Sequence, residues 1–593
     1  MIAPMTKFSF ILLPGEQEGL LEQLQKLGLV DISRSSKPMD AASSNLKAEI
    51  ELVEGLIKGL QNAEVPEGTV PEHFDGDIVR LAGGLLMRYS DDSNALEQLR
   101  KEIRQLRIWG NFDSEVLGKL SEAGVPLHFH ILSSKLFKAS WAEEYALSVI
   151  GTEKGQTYFV VAGEDGLPGE VAAPDANVAQ KEALLSQKEQ HFQKVLGRIA
   201  DLKARIPELE AIRRERYAQL DLYLAGAAAV PAAEDTILTL VGYAPTDEEP
   251  SVVQALDASG VFYIKEAASA TDNPPISFKN NWFVRQFEAL TDMYGRPAYD
   301  GFDPTPFLSI FFLLFFSLCM GDAGYGLVLV VAGLAMGRSE SFKGMAPLVT
   351  LLGIGTVVVG FFLHTFFSID IAQWEIFQPI KGIFLPDEIA GYAGGMVLAI
   401  VVGIIHLCLA MLVKAYIQVR NKGFYASLGT LGWTLLIVGG VVVGALALLG
   451  VLDAQLTKWI IIVIGVVSAI GIFPLNDPKR NKLANVGLGL WDTYNTVTGL
   501  LGDVLSYLRL YALGLAGSML GMAFNDMGKM VLGDGSMAVL WIPFVVLVVI
   551  GHTLNIAMCA LGAFVHPLRL NFLEFFKNSG YEAAGRTFNP LKK

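Results

Sequence analysis

The sequence predicts a two-part protein. An N-terminal cytoplasmic α/β dumbbell, two lobes joined by an antiparallel coiled coil, precedes a C-terminal all-α polytopic membrane domain of eight helices, the last two long and strongly tilted. Three observations carry this. The 593-residue chain is too long for one core. Its hydropathy divides, with charge spread through residues 1–300 and apolar runs filling 305–577. Seven-residue hydrophobic repeats recur at separated places in the charged half.

Composition supports the division. A mean hydropathy of +0.41 with 52% hydrophobic residues points to a membrane protein. A formal net charge of −14 and the lack of a basic cluster argue against nucleic-acid binding. Cys319, Cys408 and Cys559 lie in apolar runs without metal-ligand spacing, so reduced, buried thiols are expected, with no metal and no cofactor. The opening MIAPMTKFSFILLPGEQE has too short an apolar core and acidic flanks for a signal peptide, which keeps the charged half in the cytoplasm.

In chain order, Lys7–Leu13 reads as a strand, Glu16–Leu27 as a helix and Leu29–Ile32 as a second strand. Leu46, Ile50, Val53, Ile57 and Leu60 form a narrow coiled-coil seam, interrupted by Pro66, Gly68 and Pro71 and resumed at Leu96, Leu99, Ile103 and Leu106. A second lobe with strands near Leu127–Ile131 and Thr157–Val161 follows. The return segment carries Val178, Leu185, Phe192, Ile199 and Ile206 at strict sevens, with Val195, Leu202 and Leu209 beside them; Pro207 is placed to kink it. The chain then re-enters the first lobe with TILTLVGYAP. The reading is a cytoplasmic domain over 1–300 (proximal lobe 1–40 and 230–270, coiled coil 41–108 and 175–225, distal lobe 109–174) and a membrane domain over 301–593. Residues 271–304 form a Pro- and aromatic-rich junction. No catalytic constellation stands out in the charged half.

Eight spans are read at about 305–321, 323–337, 345–368, 391–414, 425–450, 457–473, 490–526 and 538–575. Gly321–Asp322–Ala323–Gly324–Tyr325–Gly326 separates the first two. Its Gly–Tyr–Gly lacks the preceding threonine of a potassium filter and reads as a tight helical break. Placing the N-terminal half inside puts Arg338, Lys343, Lys414, Arg420, Lys422, Lys479, Arg480 and Lys482 in cytoplasmic turns, leaving Lys381, Lys458 and Lys529 outside. That orientation gives a multi-pass plasma-membrane protein with both termini cytoplasmic. Asp492 to Asn525 is roughly 50 Å of helix against a hydrocarbon core of about 30 Å. Either the ends emerge or the helices tilt by around 50°.

The stretch Asp503–Asn525 holds Arg509 deep in apolar sequence. An arginine at the bilayer centre costs about 2.5–3.5 kcal/mol on insertion scales and marks a functional site. Gly502, Ser506, Ala512, Ala516, Gly517 and Gly521 surround it, so its face is expected to meet a partner helix rather than lipid. Arg569, His566, Asn555 and Glu574 recur along the last span, with His552 beyond them, and Asp503 and Ser506 lie near Arg509. Polar groups at such intervals suggest an interrupted aqueous path; each could also simply bond a neighbouring helix. The candidate ion-translocation residues are Arg509, Arg569, His566, Asn555, Glu574, Asp503 and Ser506.

These residues resemble a known family. Tyr507–Leu513, Gly321–Leu327, His566–Leu570 with Glu574, Gly403–Leu407, Gly242–Pro245 and Asp303–Pro306 are similar, in order, to the signature segments of subunit a of V-type ATPases, called subunit I in bacteria and archaea. The resemblance implies a non-catalytic membrane stator beside a rotating ring of c (K) subunits, with two ion half-channels, ATP chemistry residing on other subunits. It implies that Arg509 meets the ring carboxylate, with Arg569 assisting. The partners implied are the ring, peripheral stalks of E and G type, a central-stalk d/C-type subunit and the bilayer. Arginine suits the role because it stays charged where lysine would lose its proton. Eukaryotic relatives carry a histidine and a glutamate where this chain has Gly517 and Cys559, so proton and sodium both stay open. The rival reading is a secondary transporter in which Arg509 binds an anionic substrate; it would call for inverted repeats, and none is seen.

Overall fold

A computed structural model describes every residue except 35–39, 74–75, 111–113, 164–165, 174–177, 233–235, 340–341, 390, 475–481, 534–537 and 593. Lys479 and Arg480, assigned above to a cytoplasmic turn, lie outside the described residues. The elements used below are, in order, β1 (Met5–Leu12), α1 (Gln17–Leu27), β2 (Asp31–Ile32), α2 (Ala41–Asn62), α3 (Ile78–Leu106), β3 (Leu127–Ser133), β4 (Ala146–Glu153), β5 (Gln156–Ala162), β6 (Glu170–Val171), α4 (Val178–Ala204), α5 (Ile206–Gly226), β7 (Ile237–Pro245) and β8 (Phe262–Ala267). The apolar helices follow: α6 (Thr305–Met320), α7 (Ala323–Met336), α8 (Ala346–Phe362), α9 (Gly394–Lys422), α10 (Leu428–Leu448), α11 (Ala454–Ile472), α12 (Lys482–Leu532) and α13 (Trp541–Arg569).

The chain divides into two compact units. One comprises Leu12–Gly28, Ser33–Leu238 and Leu591–Lys593. Here α2 is capped by Asp40, whose carboxylate accepts from the Ser43 N–H, and α3 by Asp77, which accepts from Val79. The heptad positions meet: Val53, Ile57 and Leu60 share a buried cluster with Val195, Ile199, Leu202 and Leu209, and Leu99 and Ile103 with Val178. The seam is wider than a strict two-in-seven pattern, since Leu56 and Leu85 are buried with it. The return helix breaks at Arg205, with Pro207 in the first turn of α5, where its missing N–H costs no hydrogen bond. Strands β3–β6 form a sheet in the order β4–β5–β3–β6. Trp109 sits edge-on to Phe129 and Tyr158 against it.

The other unit comprises Met1–Ile11, Leu29–Ile32 and Thr239–Pro590. Its sheet runs in the order β2–β7–β1–β8. In β1 the side chains of Phe8, Phe10 and Leu12 alternate inward, while Lys7 points out to pair with Asp272 at 2.7 Å. The unit boundary does not fall at residue 300. The chain after Tyr581 returns to the sheet: Gly585 and Thr587 bridge to Arg296 and Ile276, and Asp31 accepts from the Asn589 N–H at 2.9 Å.

Among the described residues, five helices are long and apolar enough to cross a membrane: Gly394–Lys422, Tyr425–Leu448, Ala454–Ile472, Asn485–Leu532 and Trp541–Ser579. Thr305–Met320, Ala323–Met336 and Ala346–Phe362 are shorter apolar helices. The span expected over 345–368 stops at Phe362, because His364, Phe367 and Ser368 take positive φ and turn the chain away. The break after α6 is a cap-to-cap joint. Gly321 takes the left-handed conformation (φ +58°), and Asp322 caps α7 by accepting from the Gly324 and Tyr325 N–H groups. Helix α6 is the bundle's core, with Leu308, Phe312, Phe315, Phe316 and Cys319 buried against α8, α12 and α13. Cys319 is buried as expected, but Cys408 and Cys559 are only half-buried.

Candidate functional site

Arg509 is aimed by its neighbours in α12. Tyr507 and Leu510 are fully buried. At 3.6 residues per turn, Arg509 projects about 200° around the helix from Tyr507. Tyr507 is seated firmly: its ring fills the space that a Cβ at Gly403 of α9 would take, and its hydroxyl shares a 3.0 Å hydrogen bond with His406 Nδ1. His406 in turn stacks on Phe575, ring centroids 4.7 Å apart. Turned away from this anchor, Arg509 shares its side of α12 with the exposed Leu505, Ala512 and Ala516. The small residues expected to line that face therefore separate. Gly502, Ala512 and Ala516 are exposed, whereas Gly517 and Gly521 are buried, close to Cys559 and Ser368 of this same chain. At 100° per residue, Gly517 and Gly521 lie about 80° and 120° around α12 from Arg509, toward the buried side.

Arg569 closes α13 and is exposed. Beyond it the helix widens into a π turn over Leu570–Phe575. Proline at 567 disturbs the regular ladder here, and Asn571 Nδ2 donates to the Pro567 carbonyl at 2.9 Å. The charges of both Arg509 and Arg569 reach His566, whose Nδ1 is buried without a partner among the described residues. Neither arginine makes a hydrogen bond or ion pair among the described residues.

The π turn buries Glu574 to 3% exposure. Ser506 faces it, and the charges of Asp503 and Arg569 act on it. Asn578 Nδ2 bridges the two helices, donating to Asp503 Oδ2 at 2.8 Å and to the Glu574 carbonyl at 2.7 Å. A cavity of about 400 Å³ opens alongside, lined in part by Asp492, Asn495, Thr496, Asp503, Lys577 and Asn578. Six of the seven sequence candidates thus gather at one end of the α12–α13 pair.

Asn555 does not join them. It is fully buried in a second polar cluster, donating to the Tyr325 hydroxyl and to the Gly517 carbonyl, both at 2.8 Å. His552 shares hydrogen bonds with Tyr325 at 2.7 Å and with Asn525 at 3.0 Å. Sequence reasoning did not link Tyr325, Asn525, Ser368 or Asn578 to the site. Tyr325 was visible only as part of the 321–326 break, and Asn525 only as the end of the apolar stretch.

The model of the V-type ATPase 116 kDa subunit family matches residues 152–347 and 492–593, together about half of the chain. An A-type ATP synthase subunit I from Methanocaldococcus jannaschii is 32% identical over 371 residues, 58% of this chain, which spans about half (52%) of that relative's length. A V-type ATP synthase subunit I from Chlamydia trachomatis is 24% identical over 98% of both chains, and one from Borreliella burgdorferi 24% over the full length of both. A crystal structure of the cytoplasmic N-terminal domain of subunit I, homolog of subunit a, of V-ATPase overlaps 44% of this chain and all of that one, with a TM-score of 0.22 and 14% identity.

Proposed function

The chain belongs to the V-type ATPase 116 kDa subunit family, and from that premise we propose that it is the membrane stator of a rotary ATPase. In this reading Arg509 meets an ion-binding carboxylate on a rotating ring of c (K) subunits, and Arg569 and His566 complete the positive site. The observation that carries the proposal is Arg509 itself: a guanidinium on an exposed, small-residue side of an apolar helix, with no carboxylate paired to it among the described residues. A permanent cation in lipid needs a counter-charge, and an incoming carboxylate supplies one. The cation then favours the charged carboxylate, which releases its ion, and it bars a direct leak from one half-channel to the other.

The cavity beside Asp503, with Ser506, Glu574 and Asn578, is the inner half-channel of this proposal; the Asn555 cluster lies on the outer half. The three short apolar helices complete eight passages, with both termini cytoplasmic in the plasma membrane and α12 and α13 steeply tilted. The charged half, two α/β lobes joined by the coiled coil, holds E- and G-type peripheral stalks near a d/C-type central-stalk subunit and resists torque. The subunit is non-catalytic and needs no cofactor. Cysteines placed at Leu505 and Ala512 test this: oxidative cross-linking in membranes should join this chain to a ring subunit. Cross-links only to lipid-soluble probes would refute it.

A further inference from the structure

The second polar cluster has its hydrogen-bond directions fixed by backbone. Asn525 Nδ2 donates to the Phe367 carbonyl at 2.9 Å, which turns its Oδ1 toward His552 Nε2. An amide oxygen only accepts, so Nε2 carries the hydrogen and donates. In the neutral ring Nδ1 must then accept, and the Tyr325 hydroxyl donates to it. On the other side, Asn555 Nδ2 donates to the Tyr325 oxygen and to the Gly517 carbonyl, while its Oδ1 accepts from the Cys559 thiol at 3.3 Å. The two amides are therefore locked, and amides do not readily pass protons.

One member is free to reverse. Ser368 Oγ, 5% exposed, makes no well-formed hydrogen bond among the described residues, yet it lies near enough to the Tyr325 hydroxyl for the two to interact. It lies with the Tyr325 hydroxyl against the same small space at Gly521. A buried hydroxyl short of a well-formed hydrogen bond calls for a partner. A rotatable tyrosine hydroxyl supplies one, since it can donate either to His552 Nδ1 or to Ser368 Oγ. Ser368 sits in the turn over the end of α7, held there by Asp322, which accepts from the N–H groups of Gly324, Tyr325, Phe367 and Ser368. Asp322 is also the charged group that acts on His552. Tyr325 and Asn525 are the other polar groups bonded to that imidazole.

We propose that Ser368, Tyr325 and His552 form a proton-loading wire on the outer side of this membrane domain, with Tyr325 as its reversible link. The proposal rests on the stator reading and commits it to protons. In the loading step, a hydronium ion at the 363–370 turn gives a proton to Ser368 Oγ and is left as water, Ser368 gives its own proton to the Tyr325 oxygen, and Tyr325 gives its own to His552 Nδ1. Three bonds to hydrogen break and three form. One proton moves from outer water to the imidazole, and no group other than His552 ends charged. Tyr325 now donates toward Ser368 and accepts from Nδ1, and the reverse sequence returns the proton. Asp322 stabilises the imidazolium.

The test uses the whole complex in proteoliposomes, with ATP-driven proton uptake as the readout. Gln at 552 reproduces the neutral imidazole, donating to Asn525 and accepting from Tyr325, but it cannot take up a proton. H552Q should assemble and pump at least tenfold more slowly, and Y325F should match it. Pumping by H552Q within twofold of the unmodified complex would overturn the wire. R509Q separates the two readings: if R509Q is inactive while H552Q pumps normally, the wire alone fails; if R509Q pumps, the stator reading fails. Should H552Q not assemble, the unmodified complex decides. Sodium-free pumping that slows in D2O supports the wire, and pumping that requires sodium overturns it.

Discussion

Replacing Gly403 with alanine tests how Arg509 is aimed. A Cβ at this position lands in the Tyr507 ring, which is fully buried and tied to His406. The ring cannot yield sideways, because Phe315 and His406 pack against it at 5.7 and 6.1 Å between centroids. The strain must therefore be relieved by moving α12 away from α9 or rotating it. Inserting a methyl group into a packed core costs about 1–3 kcal/mol. At ~2–4 °C per kcal/mol for large domains, G403A should lower the unfolding midpoint of the detergent-solubilised protein by about 2–12 °C. The same rotation turns Arg509, on the opposite side of α12, off its line, so transport by the assembled complex should fall further than stability does. I405A is the control, since Ile405 is half-exposed on the same helix (53%) and should change neither property. A G403A protein with unchanged midpoint and unchanged transport would refute the anchoring argument.

Other predictions follow from the same reasoning. Asp322 accepts four backbone N–H groups; D322N turns one acceptor into a donor, and at about 1–3 kcal/mol for each donor left unsatisfied it should lower the yield of folded protein on size-exclusion chromatography. Ile199 is fully buried in the coiled-coil seam, so I199A should cost about 2–5 kcal/mol, measured by thermal unfolding followed by circular dichroism, whereas an alanine at the exposed Leu184 should cost little. The hydrogen bond from Lys7 holds the Asp272 carboxyl down at about 2, and the reciprocal bond raises the Lys7 ammonium above its usual range. Because the carboxyl is depressed in the folded state, its stabilisation is present above about 4 and lost as pH falls toward 2. D272N should therefore speed amide exchange across the β1–β8 pairs at pH 7, and the difference from the unmodified protein should vanish near pH 2.

Much of this architecture could be read from residue order. The strict sevens from Val178 to Ile206 predicted helices that pack on the outgoing pair, and Val195, Ile199 and Leu202 are buried there. Glycine followed by aspartate at 321–322 announced a helical break, and those residues form its caps. Arg509 announced itself because a charge in an apolar run has no bland explanation. What escaped was contact between distant segments. Tyr325 and His552 are 227 residues apart, and no periodicity relates them. The π turn that buries Glu574 was foreshadowed only by Pro567. Gly517 and Gly521 were assigned to the arginine face by nearness in sequence, although at 100° per residue they lie about 80° and 120° around the helix from Arg509, on the side that Cys559 and Ser368 cover.

The central claim is that Arg509 stands opposite a carboxylate carried by another subunit. The most direct measurement is ATP-driven ion uptake by purified, reconstituted complexes carrying R509K or R509Q, with subunit composition checked by mass spectrometry. The stator account predicts complete complexes in which coupled transport is abolished by both changes, because lysine can lose its proton when desolvated and glutamine carries no charge. Coupled transport that persists in either variant would contradict it.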